Sequence, residues 1–528
     1  MGGIRRELQL KYNIHMHSNE DNARRIAKNT LMLYCQMLFS MVVTLYTSRV
    51  VLNTLGVEDY GIYNVVGGFV AMFSLISSSL SSSVSRFLIY ELGRGDMNCL
   101  KRAFSTSLLI QIALAAIVFV LMETIGIWFL NNKMVIPTER LYAANWVFQG
   151  SILSFILGLI SVPYNASIIA HERMGAFAYI GILNVILRLL VVLFIAYSSL
   201  HFDKLIMYSL LIVLVGVSMQ LIYWRYCIKH FEECRFEYTF DKQYWKDMSS
   251  FAGWNFIGCT AGVFKDHGIN VLLNVFVGPV INAARGIAVT VIGAVSGFAN
   301  NFMTALTPQI TKSYAAGNLN YCHSLVERGS RFSFFILLLI ILPAFLEIDF
   351  VLTLWLGQYP AHTVNFIRLV FILTMIDVLS NTLITLANAT GRIRNYQLVV
   401  GGTLLLNFPL SYLSLYMGYS PESTYVIAII ISVVCLLLRL SFLRGMAQLS
   451  MSGFLKNVVL KVLVVAIVSS IVPVILHSCL PYGWERFFIV GCSCVICCAF
   501  VIYYWGCNRE EQYLIVSKLA SIKNKFIK

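Results

Sequence analysis

The sequence predicts an all-α polytopic membrane protein of about 14 transmembrane helices, each judged against the ~20 residues needed to cross the hydrocarbon core. Three observations carry this expectation. Of 528 residues, 58% are hydrophobic and 12% are charged, with a mean hydropathy of +0.76. Continuous apolar runs of about 20 or more residues recur along the whole chain, unlike the ~10-residue alternating strands of a spanning β-barrel. Helices are then the remaining way to satisfy a backbone in lipid. The runs cover approximately 29–54, 60–90, 103–130, 140–168, 176–199, 205–228, 248–277, 284–311, 330–356, 363–389, 396–418, 422–443, 457–478 and 486–506.

The polar segment Met1 to Lys28 precedes the first run, and no small-residue cleavage site follows a short apolar region, so no removable signal peptide is expected. The net charge of +14 is read as the Lys and Arg excess of cytoplasmic loops, which excludes nucleic acid as a partner. With the N-terminus inside, most loop Lys and Arg fall on that side, so both termini are expected in the cytoplasm. The loop Arg225 to Lys246 and the basic tail Lys518 to Lys528 fit this, facing water or lipid headgroups. Outside loops are very short, which leaves no extramembrane domain to house an enzyme active site. The 13 cysteines show no metal-binding spacing. Cys494 and Cys497 form a CxxC, but they lie with Cys492 and Cys498 in an apolar run, where Cys acts as a small hydrophobe. Disulfides are not expected in the cytoplasm.

The stretch Thr47 to Asp96 places Arg49, Arg86, a turn from Gly56 to Gly61 holding Glu58 and Asp59, and eight serines between Ser74 and Ser85 within apolar sequence. A charge at membrane depth costs about 2.5–3.5 kcal/mol on insertion scales and is usually kept for function. The stretch also starts a repeat of roughly 220 residues. Gly56 and Gly95 recur as Gly278 and Gly317, Asn98 as Asn320, Trp128 as Trp355, and AHERM at 170–174 as ATGRI at 389–393. Two six-helix lobes follow, 24–230 and 248–445, joined by a cytoplasmic linker at 231–247. A cytoplasmic segment at 1–23 precedes them; two further helices at 446–506 and a basic tail at 507–528 follow. Six spans per lobe make the repeats parallel, an architecture suited to alternating access.

The strings SRVVLNTLGVEDYGIYNVVGGFVAMF, RFLIYELGRGD, VPYNASIIAHERM, GPVINAARGIA, PQITKSYAAGN, LWLG and NATGRIRNYQ resemble the polysaccharide transporter branch of the MOP exporter superfamily, the Wzx-like flippases of O-antigen and capsule repeat units. The resemblance implies two six-helix lobes around a central cavity, an architecture shared with MurJ-type lipid II flippases and MATE drug exporters. It further implies translocation of an undecaprenyl-pyrophosphate-linked oligosaccharide from the cytoplasmic to the periplasmic leaflet of the bacterial inner membrane. By the same MurJ-like architecture, the two extra helices would help form a groove for the polyprenyl tail.

Charge pattern decides between substrates of opposite sign, because fold alone does not. Inside the spans lie Arg49, Arg86, Arg188, Lys265, Arg285, Arg368 and Arg439, against Glu123, Asp266, Glu347, Asp349 and Asp377. Guanidinium forks suit the oxygens of a diphosphate. Arg188, near mid-span, is the foremost cavity cation, with Arg49, Arg86, Lys265, Arg285 and Arg368 as further substrate-binding candidates. Snorkelling to headgroups is the competing reading for Arg49, Arg86 and Arg285, and an ion pair with Asp266 for Lys265. Arg86 shares a helical face with Ser79, Ser82 and Ser83, which either lines the cavity or lets helices approach closely. Asp377 and Asp266 are candidates for coupling to Na+ or H+, with His267 a possible proton carrier. Pro163 and Pro343 are candidate hinges.

The expected function is that of a flippase rather than an enzyme, probed against three rivals: a MATE-like small-molecule exporter, an enzyme of polysaccharide assembly and a non-transporting scaffold. Expected partners are the lipid-linked oligosaccharide, membrane lipids and polysaccharide assembly proteins, for a monomer with no cofactor and no bound metal.

Overall fold

A computed structural model describes the backbone of residues 2–512 except 72, 133, 135, 199–201, 236–240, 264, 266–267 and 510, and the side chains from 25 onward with the same exceptions and 45, 48, 52, 57, 64, 71, 75 and 279. The described residues are helical throughout, with no strand. In chain order come α1 (Gly2–Ala71), α2 (Ser74–Arg94), α3 (Met97–Leu121), α4 (Ile127–Asn132), α5 (Leu141–Ala170), α6 (Met174–Tyr197), α7 (Lys204–His230) and α8 (Lys242–Val263). Then follow α9 (Ile269–Phe276), α10 (Pro279–Ala315), α11 (Leu319–Leu346), α12 (Ile348–Leu356), α13 (Thr363–Thr390), α14 (Arg394–Leu405), α15 (Asn407–Tyr416), α16 (Ser423–Ala447), α17 (Met451–Phe454), α18 (Lys461–Cys479) and α19 (Trp484–Val501).

Twelve helical stretches among the described residues are long and apolar enough to cross a membrane. The two expected spans that do not qualify are 60–90 and 248–277. Among the described residues the first comprises the end of α1 together with α2 and is diluted by its serines, and the second comprises α8 and α9. The count of 14 is thus not confirmed: length and apolarity support 12 spans among the described residues, and the other two stretches are helical there without meeting that measure.

The chain forms two compact units. The N unit comprises residues 31–260 and 311–317; the C unit comprises 261–310 and 318–528, together with 1–30. In the N unit, α5 packs most extensively on α7. Gly150 makes that approach possible, since a Cβ there would stand 2.1 Å from Ser209 Oγ. Val66, Val118, Ala144, Val147, Phe148 and Leu205 belong to a core with almost no exposure. In the C unit, α13 packs most extensively on α16, and α18 and α19 form a hairpin against α11.

The backbone repeats what the sequence repeats. Gly56 (φ 84°) breaks α1 and Gly278 (φ 108°) precedes α10 in the same register; Gly95 (φ 77°) ends α2 as Gly317 (φ 74°) follows α10. These left-handed positions favour glycine because it lacks Cβ. The next residue caps the following helix in both halves. Asp96 accepts from the Asn98 and Cys99 amides at 3.0 and 3.1 Å, and Asn318 accepts from the Tyr321 amide at 3.2 Å. After α5 and α13 the left-handed residue is Glu172 (φ 57°) in one half and Gly391 (φ 74°) in the other.

Candidate functional site

The densest group of candidate residues lies in the C unit, where α9, α10, α13, α16 and Lys265, between α8 and α9, come together. Pro279 opens α10, as suits a position whose amide has no helical partner, and Arg285 follows two turns later. Arg285 is 4% exposed. Its Nε donates to the Tyr425 hydroxyl of α16 at 3.2 Å and its Nη1 to Asn270 Oδ1 of α9 at 3.1 Å. Both partners are neutral. A guanidinium has five N–H donors, so this buried cation is solvated by dipoles and forms no ion pair among the described residues.

Lys265 lies between α8 and α9. Its Nζ donates to Asp377 Oδ2 at 3.0 Å, and Ser432 Oγ of α16 donates to Asp377 Oδ1 at 2.7 Å. Asp377 sits near the middle of α13, about 21 Å from its first residue at 1.5 Å per residue. Lys265 and Arg285 line one narrow cleft with Ile269, Leu373, Asn407 and Tyr425, with a cavity volume of about 10 Å³. With one ammonium, one guanidinium and one carboxylate in the group, the net formal charge is positive and hydrogen-bond donors are in excess.

The other candidates are placed differently. Arg188 on α6 is exposed, with Nε donating to Asn184 Oδ1 at 3.3 Å. Arg49 on α1 is likewise exposed. Arg86 on α2 is enclosed by aromatic rings, its guanidinium carbon 4.5 Å from the Phe87 centroid, 4.6 Å from Tyr90 and 5.8 Å from Phe251. The serines on its face pack rather than line a lumen: Ser79 donates to the Ala252 carbonyl at 2.5 Å and Ser83 to the Met248 carbonyl at 2.9 Å, both on α8. Arg368 is neutralised, its Nη2 donating to Asp349 Oδ2 at 3.0 Å. Arg439 is buried and held by Tyr396 and Ser380.

Lys265 pairs with Asp377; the expected pair with Asp266 falls on a residue outside the described ones, as does His267. Pro163 is buried within α5, which runs through it without interruption, so no break marks a hinge there. Pro343 comes one turn before the junction of α11 and α12 at Glu347.

Several polar contacts escaped sequence reasoning. Arg331, 3% exposed, donates from Nη2 to Glu511 Oε1 at 2.7 Å. Glu347, 1% exposed, receives His477 Nδ1 at 2.8 Å and Arg486 Nη2 at 3.1 Å. These two buried carboxylates fasten the α18–α19 hairpin to α11 at both of its ends. No spacing rule announces them, because the partners are more than a hundred residues apart.

Residues 23–314 match the family described as polysaccharide biosynthesis protein, over more than half of the chain. The chain belongs to this polysaccharide biosynthesis protein family. The fold is similar to that of solved MATE and MOP superfamily structures. A MATE structure in the bent conformation is similar with a TM-score of 0.70 and 13% identity, covering 83% of this chain and 97% of that one. A multidrug resistance MATE family transporter in an outward-facing conformation gives 0.66 and 12%, covering 80% and 96%. A MOP superfamily transporter from Pyrococcus furiosus, for which reverse polarity of the binding pocket suggests a different function, gives 0.65 and 14%, covering 81% and 96%. At these identities the likeness shows the fold. No curated protein sequence matches the chain. Family and fold together make this a member of the polysaccharide biosynthesis protein family with the fold of the MATE structures and, among the described residues, twelve helical stretches long and apolar enough to cross a membrane.

Proposed function

We propose that this transporter flips undecaprenyl-pyrophosphate-linked oligosaccharide repeat units across the bacterial inner membrane by alternating access, with both termini in the cytoplasm. The observation that carries the reading is the sign of the unpaired charge within the spans. Asp349, Asp377 and Glu347 are each bonded to a cation. Arg49, Arg188 and Arg285 form no ion pair among the described residues. Glu123 is the acid that offsets them in part, with one oxygen buried and without a hydrogen bond. Cationic excess suits a diphosphate and repels organic cations. Charge sign was also what suggested a distinct function for the Pyrococcus furiosus relative.

In this reading Arg285 and Lys265 receive the diphosphate in the C unit, and Arg188 and Arg49 serve it in the N unit. Asp377, already bridging Lys265 and Ser432, is the group placed to exchange a proton or Na+. The protein acts as a monomer with membrane lipids and polysaccharide assembly proteins around it. The test is reconstitution in vesicles with lipid-linked oligosaccharide. Arg188→Ala and Arg285→Ala should each lower flipping at least tenfold while insertion is retained; undiminished flipping in both variants would remove the cationic site from the mechanism.

A further inference from the structure

The repeat brings a pair of clamps into register. In the N unit, Arg140 is the residue that begins α5 and Asp203 the one that begins α7. Arg140 Nη1 donates to Asp203 Oδ2 at 2.6 Å, and its Nε to Asp59 Oδ1 at 2.8 Å. About 220 residues on, His362 begins α13 and Glu422 begins α16. His362 Nδ1 lies 2.6 Å from Glu422 Oε1, which also accepts from Asn365 Nδ2 at 3.1 Å. Each clamp therefore joins the starts of the two helices that pack most extensively within its unit.

We infer that the His362–Glu422 contact is a proton-responsive clamp, standing where the repeat places a permanently charged one, Arg140–Asp203, in the other unit. Arginine stays charged at any physiological pH, whereas imidazole gains and loses its proton across the neutral range. The second acid of the N unit clamp is also absent: Ile281 occupies the register of Asp59. Glu422 Oε2 is buried without a hydrogen bond, so the charge of this carboxylate is balanced through Oε1 alone. Other charges near the clamp are already committed. Asp349 at the start of α12 is bonded to Arg368 of α13, Glu347 at the end of α11 to Arg486 and His477, and the Tyr425 hydroxyl of α16 to Arg285. Among the described residues Glu422 is the carboxylate within ion-pair distance of His362.

The backbone at the clamp is unusual as well. His362 has φ +69°, a left-handed conformation that a residue with a Cβ adopts only when its surroundings hold it there. Partial burial pushes the Glu422 carboxyl up, but hydrogen bonds from His362, its own backbone amide and Asn365 outweigh this and hold it below the ordinary carboxylate range. A depressed carboxylate contributes stability above its unfolded pKa and loses it as pH falls through the folded value. An imidazolium–carboxylate pair in general weakens in the opposite direction, as pH rises and imidazole gives up its proton. The clamp is thus tightest in mildly acidic conditions, at the end of the C unit that the loop charges assign to the outside.

Hydrogen exchange on the full-length protein in nanodiscs, corrected for intrinsic amide rates, tests this directly. Between pH 6 and pH 8, protection at 363–369 and 423–429 should fall by roughly three- to tenfold, while 141–147 and 204–210 stay constant. His362→Arg should make the C unit constant too, and Arg140→His should transfer the pH response to the N unit. An equal response in both units of the wild type, or a response that survives in His362→Arg, would overturn the clamp; should His362→Arg fail to fold, the Arg140→His arm decides alone.

Discussion

Arg285 and Asp377 stand in the same unit and show two ways of keeping a charge inside an apolar bundle. Arg285 is surrounded by dipoles, the Tyr425 hydroxyl and the Asn270 carbonyl oxygen, which leaves its charge available to a ligand. Asp377 is held by Lys265 and Ser432, and its charge is spent locally. Removing one member of such a pair leaves the other uncompensated, and the cost exceeds what the pair contributed. Asp377→Ala should therefore lower stability by about 1–2 kcal/mol, less than a fully buried pair because Asp377 is partly exposed. The double variant Lys265→Ala/Asp377→Ala should recover part of that loss, read as the midpoint of thermal unfolding in detergent. A double variant no more stable than the single one would mean that Lys265 has another partner of equal weight. The sequence contained Lys265, Arg285 and Asp377 as candidates, but not their pairing. Lys265 bonds to an acid on α13, 112 residues away in the chain, which no local spacing reveals.

At the level of elements, the α18–α19 hairpin carries little charge of its own and looks like packing. Its attachment is nonetheless polar at both ends. Glu347 binds His477 and Arg486 where the hairpin turns, and there Phe350 meets Trp484 and Phe487 with ring centroids 5.0 and 4.9 Å apart. At the other end Arg331 binds Glu511, and Lys461 donates to Asn508 at 2.8 Å. The hairpin is consequently fixed to α11 and follows it. Glu347→Gln leaves Arg486 without its counter-charge at a site with 1% exposure, a change of about 3–5 kcal/mol. Proteolysis or hydrogen exchange should show α18 and α19 loosening first, with the N unit unaffected; a uniform loss across both units would assign Glu347 a global role. Helix existence was legible throughout from apolar run length. The polar attachments of the hairpin were not, because a window of hydropathy carries no information on which distant side chains meet.

For the whole molecule, the sign of the unpaired charge separates substrate classes that the fold leaves together. If a diphosphate is what the spans receive, inorganic diphosphate should compete with lipid-linked oligosaccharide for binding to the reconstituted protein, and organic cations should not. Competition by cations alone would favour a MATE-like exporter. Raising ionic strength should weaken the initial encounter more than binding in the Lys265–Arg285 cleft, since buried charges are screened less than exposed ones. A binding assay across a salt series gives both terms.

By itself the sequence determined the solvent of this protein, the type of its secondary structure and its duplication. Those properties are summed over many residues, and apolar run length, loop charge and glycine register survive local error. The same glycines reappear at positive φ in both halves, because a left-handed turn constrains one residue whatever surrounds it. The tertiary structure decided which charges are free. Arg285, Arg331, Arg368 and Arg439 are alike as letters in apolar runs, yet one has neutral partners, two meet carboxylates and one is held by hydroxyls. Pairing depends on distances of 3 Å between residues far apart in the chain, and only packing sets those.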